Sequence, residues 1–413
     1  MEETDVPAHF LCPISIQLMR DPVTVSTGIT YDRESIERWL FSCKHDTCPV
    51  TKQVLTGIDL TPNHTLRRLI QSWCTLNAFE QIPTPKLPLD TTQIVKLIDD
   101  AKKSPEMQRR CLHRLRSIAF RSEDSKKYYL ESAGAVEFLA SIIKRNDSTI
   151  LEVELDTGLE FKRSCHEALS ILSHLETSAT ALKKLVTNNS GDDRFVASLM
   201  GVLRCGNQES RSNAIVLMKS ISDALDPNQM VSIKSEFFSS VVDVLRDQIS
   251  EKATKAALKI LAEVCPWGRN RIKAVETGAV PALVELLMET SERRPCELML
   301  VVLDQLCGCA DGRAELLEHG AGLAIVSKKI LRVSHGATDR AVKILSSISR
   351  VSATSRVLQE MLDVGVVSKL CLVMQVKTSL KTKERAKEIL KLNSRVWKKS
   401  TCIPPHLLSS YPS

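Results

Sequence analysis

A cluster of residues near the start of the chain has the right types to hold a soft metal. Cys12, Cys43, His45 and Cys48 supply four soft or borderline donors, the number a tetrahedral zinc site needs. A strong zinc pattern would pair two Cys-x2-Cys motifs. Here Cys12-Pro-Ile is followed by Ser15 and Cys48-Pro-Val by Thr51, so a hydroxyl stands at each place where the second thiolate would be. Hydroxyls are poor zinc ligands at neutral pH, and the expectation is a loop pair without metal. Covalent chemistry is equally unsupported: none of the thirteen cysteines sits in a Cys/His arrangement suited to a nucleophile, and Cys43 beside His45 reads as loop structure.

The elements that position these loops can be read from periodicity. The stretch "DPVTVSTGITY", Asp21 to Tyr31, alternates β-branched residues around Gly28 and predicts a short hairpin. Asp32 is placed to cap a helix through "RESIERWLFS", with Ile36, Trp39 and Leu40 at helical spacing. Asn63 then caps a second helix whose apolar face is Leu66, Leu69, Ile70 and Trp73.

In order, "CPIS", "MRDPV", "GITYDRESIERWL", "CPVT" and "TPNHTLRRLI" resemble the U-box from His9 to about Leu76. This is the relative of the RING domain that replaces zinc with hydrogen bonds and ion pairs. The resemblance implies a ubiquitin ligase without a covalent intermediate of its own. It would dock a ubiquitin-charged conjugating enzyme and act by proximity and orientation. By family position, Ile14, Ile16, Trp39 and Pro49 would form the docking groove. Lys52 stands where several U-boxes carry an arginine, and an ammonium lacks the planar fork of a guanidinium. Ser15, Asp21 and Thr51, with Arg33 or Glu34, would supply the polar network in place of metal, and Cys12 would brace the first loop. The rival reading places Ile14 and Trp39 in the domain's own core, although Ile36, Leu40 and Leu69 already offer core candidates.

Beyond a proline-rich linker, "EQIPTPKLPLDTT" (Glu80 to Thr92), helical periodicity dominates. Six segments align with Ile143, Leu203, Leu245, Leu287, Leu331 and Met374 at one position, spaced 60, 42, 42, 44 and 43 residues apart. Glycines at 134, 278, 320 and 365 precede four of them. Such a period resembles the armadillo family. The extra length of the first interval is assigned to an inserted loop, Asn146 to Ser164. One such unit cannot bury its apolar stripe alone, so the units stack and leave a concave face suited to an extended protein substrate. Importin-alpha-like arrays line that face with Asn and Trp; the aligned segments, taken as each unit's last helix, contain neither. The expected fold class is therefore mainly α: a small α+β U-box (9–79) after a short extension (1–8), a linker (80–92), an armadillo-type α-solenoid of about six units (93–399) and a tail (400–413).

The net charge of +7 is mild for 413 residues, and much of it lies in Lys377 to Lys399, which carries nine Lys/Arg against two Glu. On a helix this run reads as a solvated face; membrane association through it has no further support. Aromatic residues are sparse at 4%, so stacking on nucleic acid is not expected. No segment reads as a leader or membrane span. The odd number of scattered cysteines suggests a reducing compartment, cytoplasmic or also nuclear. No cofactor is implied. The combination of domains is similar to plant U-box/armadillo ligases, a group tied to immune and stress signalling. Two rivals stand beside it: a non-catalytic armadillo adaptor with a degenerate U-box, and a zinc-dependent nucleic-acid binder.

Overall fold

A computed structural model describes residues 6–42, 45–55, 59–76, 91–121, 130–145, 155–175, 177–187, 194–224 and 233–397. The predicted linker falls almost wholly outside these residues, as does the tail.

The amino-terminal domain begins with the expected hairpin. Strands β1 (Pro22–Thr24) and β2 (Thr30–Asp32) pair antiparallel with Val23 opposite Tyr31. Gly28 turns the chain at φ 81°, a left-handed geometry that costs glycine little. A third strand, β3 (Thr61–Pro62), joins the other edge of β1, giving the order β2-β1-β3. Helix α1 (Arg33–Glu37) follows β2 directly, and the chain continues through Arg38–Ser42 as a wider π turn. Helix α2 (His64–Leu76) is capped by Asn63, whose Oδ1 accepts from the Leu66 N–H at 3.0 Å. These elements close over a core of Phe10, Cys12, Met19, Val23, Tyr31, Ile36, Cys48 and Ile70. Ile14, Trp39 and Leu40 pack against it from its rim. Leu69, expected in the core, is instead 53% exposed, because Ile70 and Cys74 take the buried face of α2.

The rest is helical. Helices α3 (Thr91–Ala101) and α4 (Pro105–Arg121) pack as a pair and are followed by α5 (Ala135–Arg145) and α6 (Leu155–Leu175). The assigned insertion is only partly testable: 146–154 lies outside the described residues, and 155–164 is not a loop but the opening turns of α6. Then come α7 (Ala179–Thr187), α8 (Arg194–Cys205), α9 (Gln208–Ala224), α10 (Ser235–Asp247) and α11 (Glu251–Val264). Three complete units follow, each with a short first helix, a middle helix and a long third: α12 (Gly268–Glu276), α13 (Ala279–Glu289), α14 (Arg293–Leu306); α15 (Ala310–Glu318), α16 (Gly322–Lys329), α17 (His335–Val351); α18 (Ser355–Asp363), α19 (Val366–Gln375), α20 (Leu380–Leu392). A four-residue helix, α21 (Ser394–Trp397), ends the described chain and buries Trp397.

This unit structure corrects the sequence reading in two places. The aligned segments are middle helices, not last ones. The third helices α9, α11, α14, α17 and α20 pack on one another more closely than successive middle helices do, as the inner layer of a curved stack must. Among these five helices, Asn213 on α9 is the sole Asn or Trp, and Ser173 Oγ donates to its side chain at 3.2 Å. The second correction concerns register. Leu331 lies past the end of α16 at φ 59° and is partly exposed, and spacing from the preceding glycine puts Lys329 at the shared position instead. Gly134, Gly278 and Gly365 adopt the left-handed geometry between helices, whereas Gly320 does not.

Candidate functional site

The two cysteine loops are built as copies of each other. In the first, the Cys12 N–H donates to Gln17 O and the Ile16 N–H to Cys12 O, both at 2.8 Å, while Leu11 and Leu18 form an antiparallel bridge. In the second, the Cys48 N–H donates to Gln53 O at 2.8 Å, the Lys52 N–H to Cys48 O at 2.9 Å, and Thr47 bridges Val54. The fifth residue of each loop is forced left-handed, Ile16 at φ 55° and Lys52 at φ 59°. Aligned, "CPISIQL" and "CPVTKQV" set Ser15 against Thr51 and Ile14 against Val50.

Each cysteine sulfur is the hub of its loop. Burial alone would raise the Cys12 thiol, but N–H groups of Ser15, Asp32 and Ile14 and the Ser15 hydroxyl donate to it, and the net shift is downward. At Cys48 burial is again outweighed, here by the Thr27, Thr51 and Tyr31 hydroxyls and the Thr51 N–H, and the thiol is lowered to about 6. Tyr31 Oη lies 3.0 Å and Thr27 Oγ1 3.3 Å from that sulfur. The phenol of Tyr31 moves upward through burial and its bond to Cys48. Ser15 and Thr51 thus direct hydroxyls at the sulfur of their own loop, where a second thiolate would have shared a metal. No group of metal-ligating side chains occurs among the described residues; Cys43 lies outside them, and His45 stacks on Trp39.

Ion pairs join the loops to the sheet and helix. Arg33 Nε donates to Asp21 Oδ2 at 2.7 Å, and its Nη1 lies 3.6 Å from Oε1 of Glu37, which is buried. Glu34 does not take part: it pairs with Arg38 on the exposed side of α1. Asp32 gives no side-chain cap to α1; its Oδ1 accepts from the N–H groups of Arg20 and Asp21 at 2.7 and 2.9 Å, tying the first loop's exit to β2. Tyr31, Thr27 and Glu37 were not singled out in the sequence, and Asp32 was read there as a helix cap, a role its side chain does not take. The internal match between the two loops was the legible signal for the hydroxyl-to-sulfur contacts.

Among exposed polar side chains such as Gln17, Lys52 and Gln53, the paired loops also present apolar ones. Ile16 is 76% exposed, Val50 52% and Val54 64%, with Ile14 and Pro49 half-buried. Trp39 is half-buried, its indole N–H donating to Thr47 O at 2.8 Å, so the second loop fixes the ring. His45 stacks on that ring at 4.1 Å, and Lys52 Nζ sits 5.7 Å from its centroid. Lys52 is thereby held over Trp39.

The comparisons with known proteins agree with this geometry. Residues 6–78 match the U-box domain model and residues 93–413 the plant U-box protein ARM repeat region. The chain is 54% identical over its whole length to the E3 ubiquitin-protein ligase PUB23 of Arabidopsis thaliana, covering 98% of that protein, and 51% identical to the E3 ubiquitin-protein ligase PUB22 of the same plant, covering all of it. A solved chain from work on the cadherin and beta-catenin interaction superposes with a TM-score of 0.59 at 14% identity, over 80% of this chain and 59% of that one, a likeness of fold alone. With a matching family model over more than half of its length and relatives aligned end to end, the chain belongs to the plant U-box ubiquitin-protein ligases that carry an armadillo-repeat region.

Proposed function

We propose that the face formed by Ile14, Ile16, Trp39, Pro49 and Lys52, extended by Val50, receives a ubiquitin-charged conjugating enzyme. The observation that carries this is Ile16. A β-branched residue in left-handed geometry is a steric outlier, of the kind that costs on the order of 1–3 kcal/mol and concentrates at functional sites. Its side chain is mostly exposed, so burial within the domain returns little for that strain. An apolar partner surface would return more. Trp39, locked by the Thr47 carbonyl, supplies a rigid aromatic anchor beside the loops. The docked enzyme's thioester is then held for attack by a substrate lysine, so the ligase contributes orientation and no bond of its own. Cys12, Ser15, Asp21, Arg33 and Thr51 keep the loops in place.

The inner face of the repeats recruits the substrate under the same reading. Kinship with this family supports a place in plant immune or stress signalling, and thiols unpaired among the described residues support a cytoplasmic setting.

Self-ubiquitination of the purified chain with activating enzyme, ATP, ubiquitin and a panel of conjugating enzymes tests this. Wild type should build ladders, and Trp39→Ala and Ile16→Ala should reduce them at least about tenfold. Ile16 touches no core, so its variant separates docking from folding. Ladders unchanged by Ile16→Ala would sink the docking surface; an inert wild type would favour the adaptor reading.

A further inference from the structure

The charges of the four carboxyl-terminal units are sorted by helix layer. The inner helices α11, α14, α17 and α20 carry thirteen lysines and arginines, none of them buried, against seven carboxylates, one of which, Asp304, is buried. The middle helices α10, α13, α16 and α19 carry four cations and five carboxylates. The first helices α12, α15 and α18 carry five and six. A solvated surface of a mildly basic protein has no reason to place its whole excess on one layer. The basic run at Lys377 to Lys399 belongs largely to α20 and is the last step of the same pattern.

Neighbouring inner helices also spend part of their charge on each other. Asp304 on α14 holds Arg340 at 2.8 Å and Lys343 at 2.7 Å, both from α17, so one buried carboxylate fixes two cations that keep 39% and 45% of their side chains exposed. Asp339 binds Arg385, and Arg350 binds Glu388. Lys255, Arg294 and Lys387 are exposed and make no ion pair among the described residues. The result is an excess of positive charge on four successive inner helices.

We infer that this basic layer binds an acidic, extended segment of the protein to be ubiquitinated. The inference rests on the reading that the repeats recruit the substrate, and it supplies the chemistry. Packed helices lie ~9 Å apart, and an extended chain rises ~3.3 Å per residue. A carboxylate at about every third position would therefore meet one inner helix after another. A flat anionic bilayer, by contrast, cannot follow the inner layer of a curved stack. Charge complementarity of this kind steers encounter and weakens with salt.

The probe is a fluorescent peptide with glutamate at every third position, titrated against the full chain by anisotropy, beside a lysine counterpart and phosphatidylserine vesicles. Expected is binding of the acidic peptide alone, weakened on the order of tenfold between low and physiological salt. The triple variant Lys255→Glu, Arg294→Glu, Lys387→Glu should weaken it about tenfold or more, while Lys328→Glu on the middle helix α16 should not. No binding of the acidic peptide, equal binding of the lysine peptide, binding to vesicles in its place, or indifference to the triple variant would overturn the inference. Self-ubiquitination of wild type is recorded alongside. An active ligase that ignores the peptide sinks the charge inference alone; an inert one sinks the reading beneath it.

Discussion

The two loop thiols of the U-box behave oppositely to buried thiols of the repeats. Cys74 on α2 of the U-box, with no donor to its sulfur among the described residues, is raised by burial as the repeat thiols are. In the repeats, Cys165 and Cys265 lie among apolar side chains, and burial pushes them to about 11 and about 12. In the U-box, Cys12 and Cys48 are as deeply buried, yet donors aimed at the sulfurs bring both below the ordinary thiol range. The contrast reflects how each half is held together. A repeat gains its stability from the next copy of itself, so its interior is apolar and interchangeable. The U-box has about seventy residues, too few for a generous core, and braces its loops with specific polar contacts. Each of those contacts lacks a substitute.

The largest effect should therefore come from breaking the polar brace. Arg33→Ala leaves Asp21 and the buried Glu37 without their shared guanidinium. The loss should be about 3 kcal/mol, the low end of the range for a buried pair, because Arg33 and Asp21 keep 16% of their side chains exposed. Hydrogen exchange resolved by region should show the whole U-box opening together while protection in α11 to α20 stays unchanged. Loosening confined to α1 would show that the brace is local.

The solenoid's counterpart is Asp304. Asp304→Ala frees two half-exposed cations, and about 2 kcal/mol is expected, read as faster exchange in α14 and α17. The U-box should not respond. A loss of protection spreading through every repeat would mean that the stack is more cooperative than a chain of nearest neighbours.

The thiols themselves make the third test. Because the folded Cys48 value of about 6 lies below the ordinary 9.0, its stabilisation is complete above 9.0 and is lost as pH falls through about 6. Over that window U-box stability should drop by up to about 1.4 kcal/mol per pH unit. In Cys48→Ser that slope should flatten, since serine has no proton to exchange there. Cys265, raised to about 12, stays neutral when folded while its unfolded thiol starts to ionise towards 9.0, so it adds no slope near pH 6 and, close to 9.0, a slope of the opposite sign. A Cys48→Ser chain with the wild-type slope would assign it to other groups.

What the sequence disclosed follows the same division. Turn and cap positions such as Gly28 and Asn63 act locally, and both were legible. So were the two domains and the repeat period, which depend on apolar spacing. The sulfur contacts were half legible: the hydroxyls at 15 and 51 stood out, but Thr27 and Tyr31 reach Cys48 across 21 and 17 residues and follow no spacing rule. Glu34 and Glu37 differ only in which side of α1 they occupy. The helix is five residues long, too short for periodicity to choose between them. The same weakness displaced Leu331, because α16 is shorter than its neighbours and the apolar pattern runs on past its end.

The smallest effect sharpens the comparison from the side of the repeats. Their long inner helices begin with repeated caps: Ser250 accepts from Ala253 N, Ser334 from Ala337 N and Ser379 from Thr382 N. Each cap satisfies one otherwise open donor, and its loss costs about 1 kcal/mol. Ser250→Ala and Ser334→Ala lie two units apart, so their effects should add in the double variant to within about 0.5 kcal/mol. In the U-box, Thr27→Val and Ser15→Ala remove hydroxyls from different sulfurs in one small network, and their joint cost should depart from the sum. Additivity in both halves would mean that the two loops are braced independently, and that the U-box is itself a two-unit repeat joined through β2, where the Asp32 N–H donates to Cys12 and Tyr31 Oη meets Cys48.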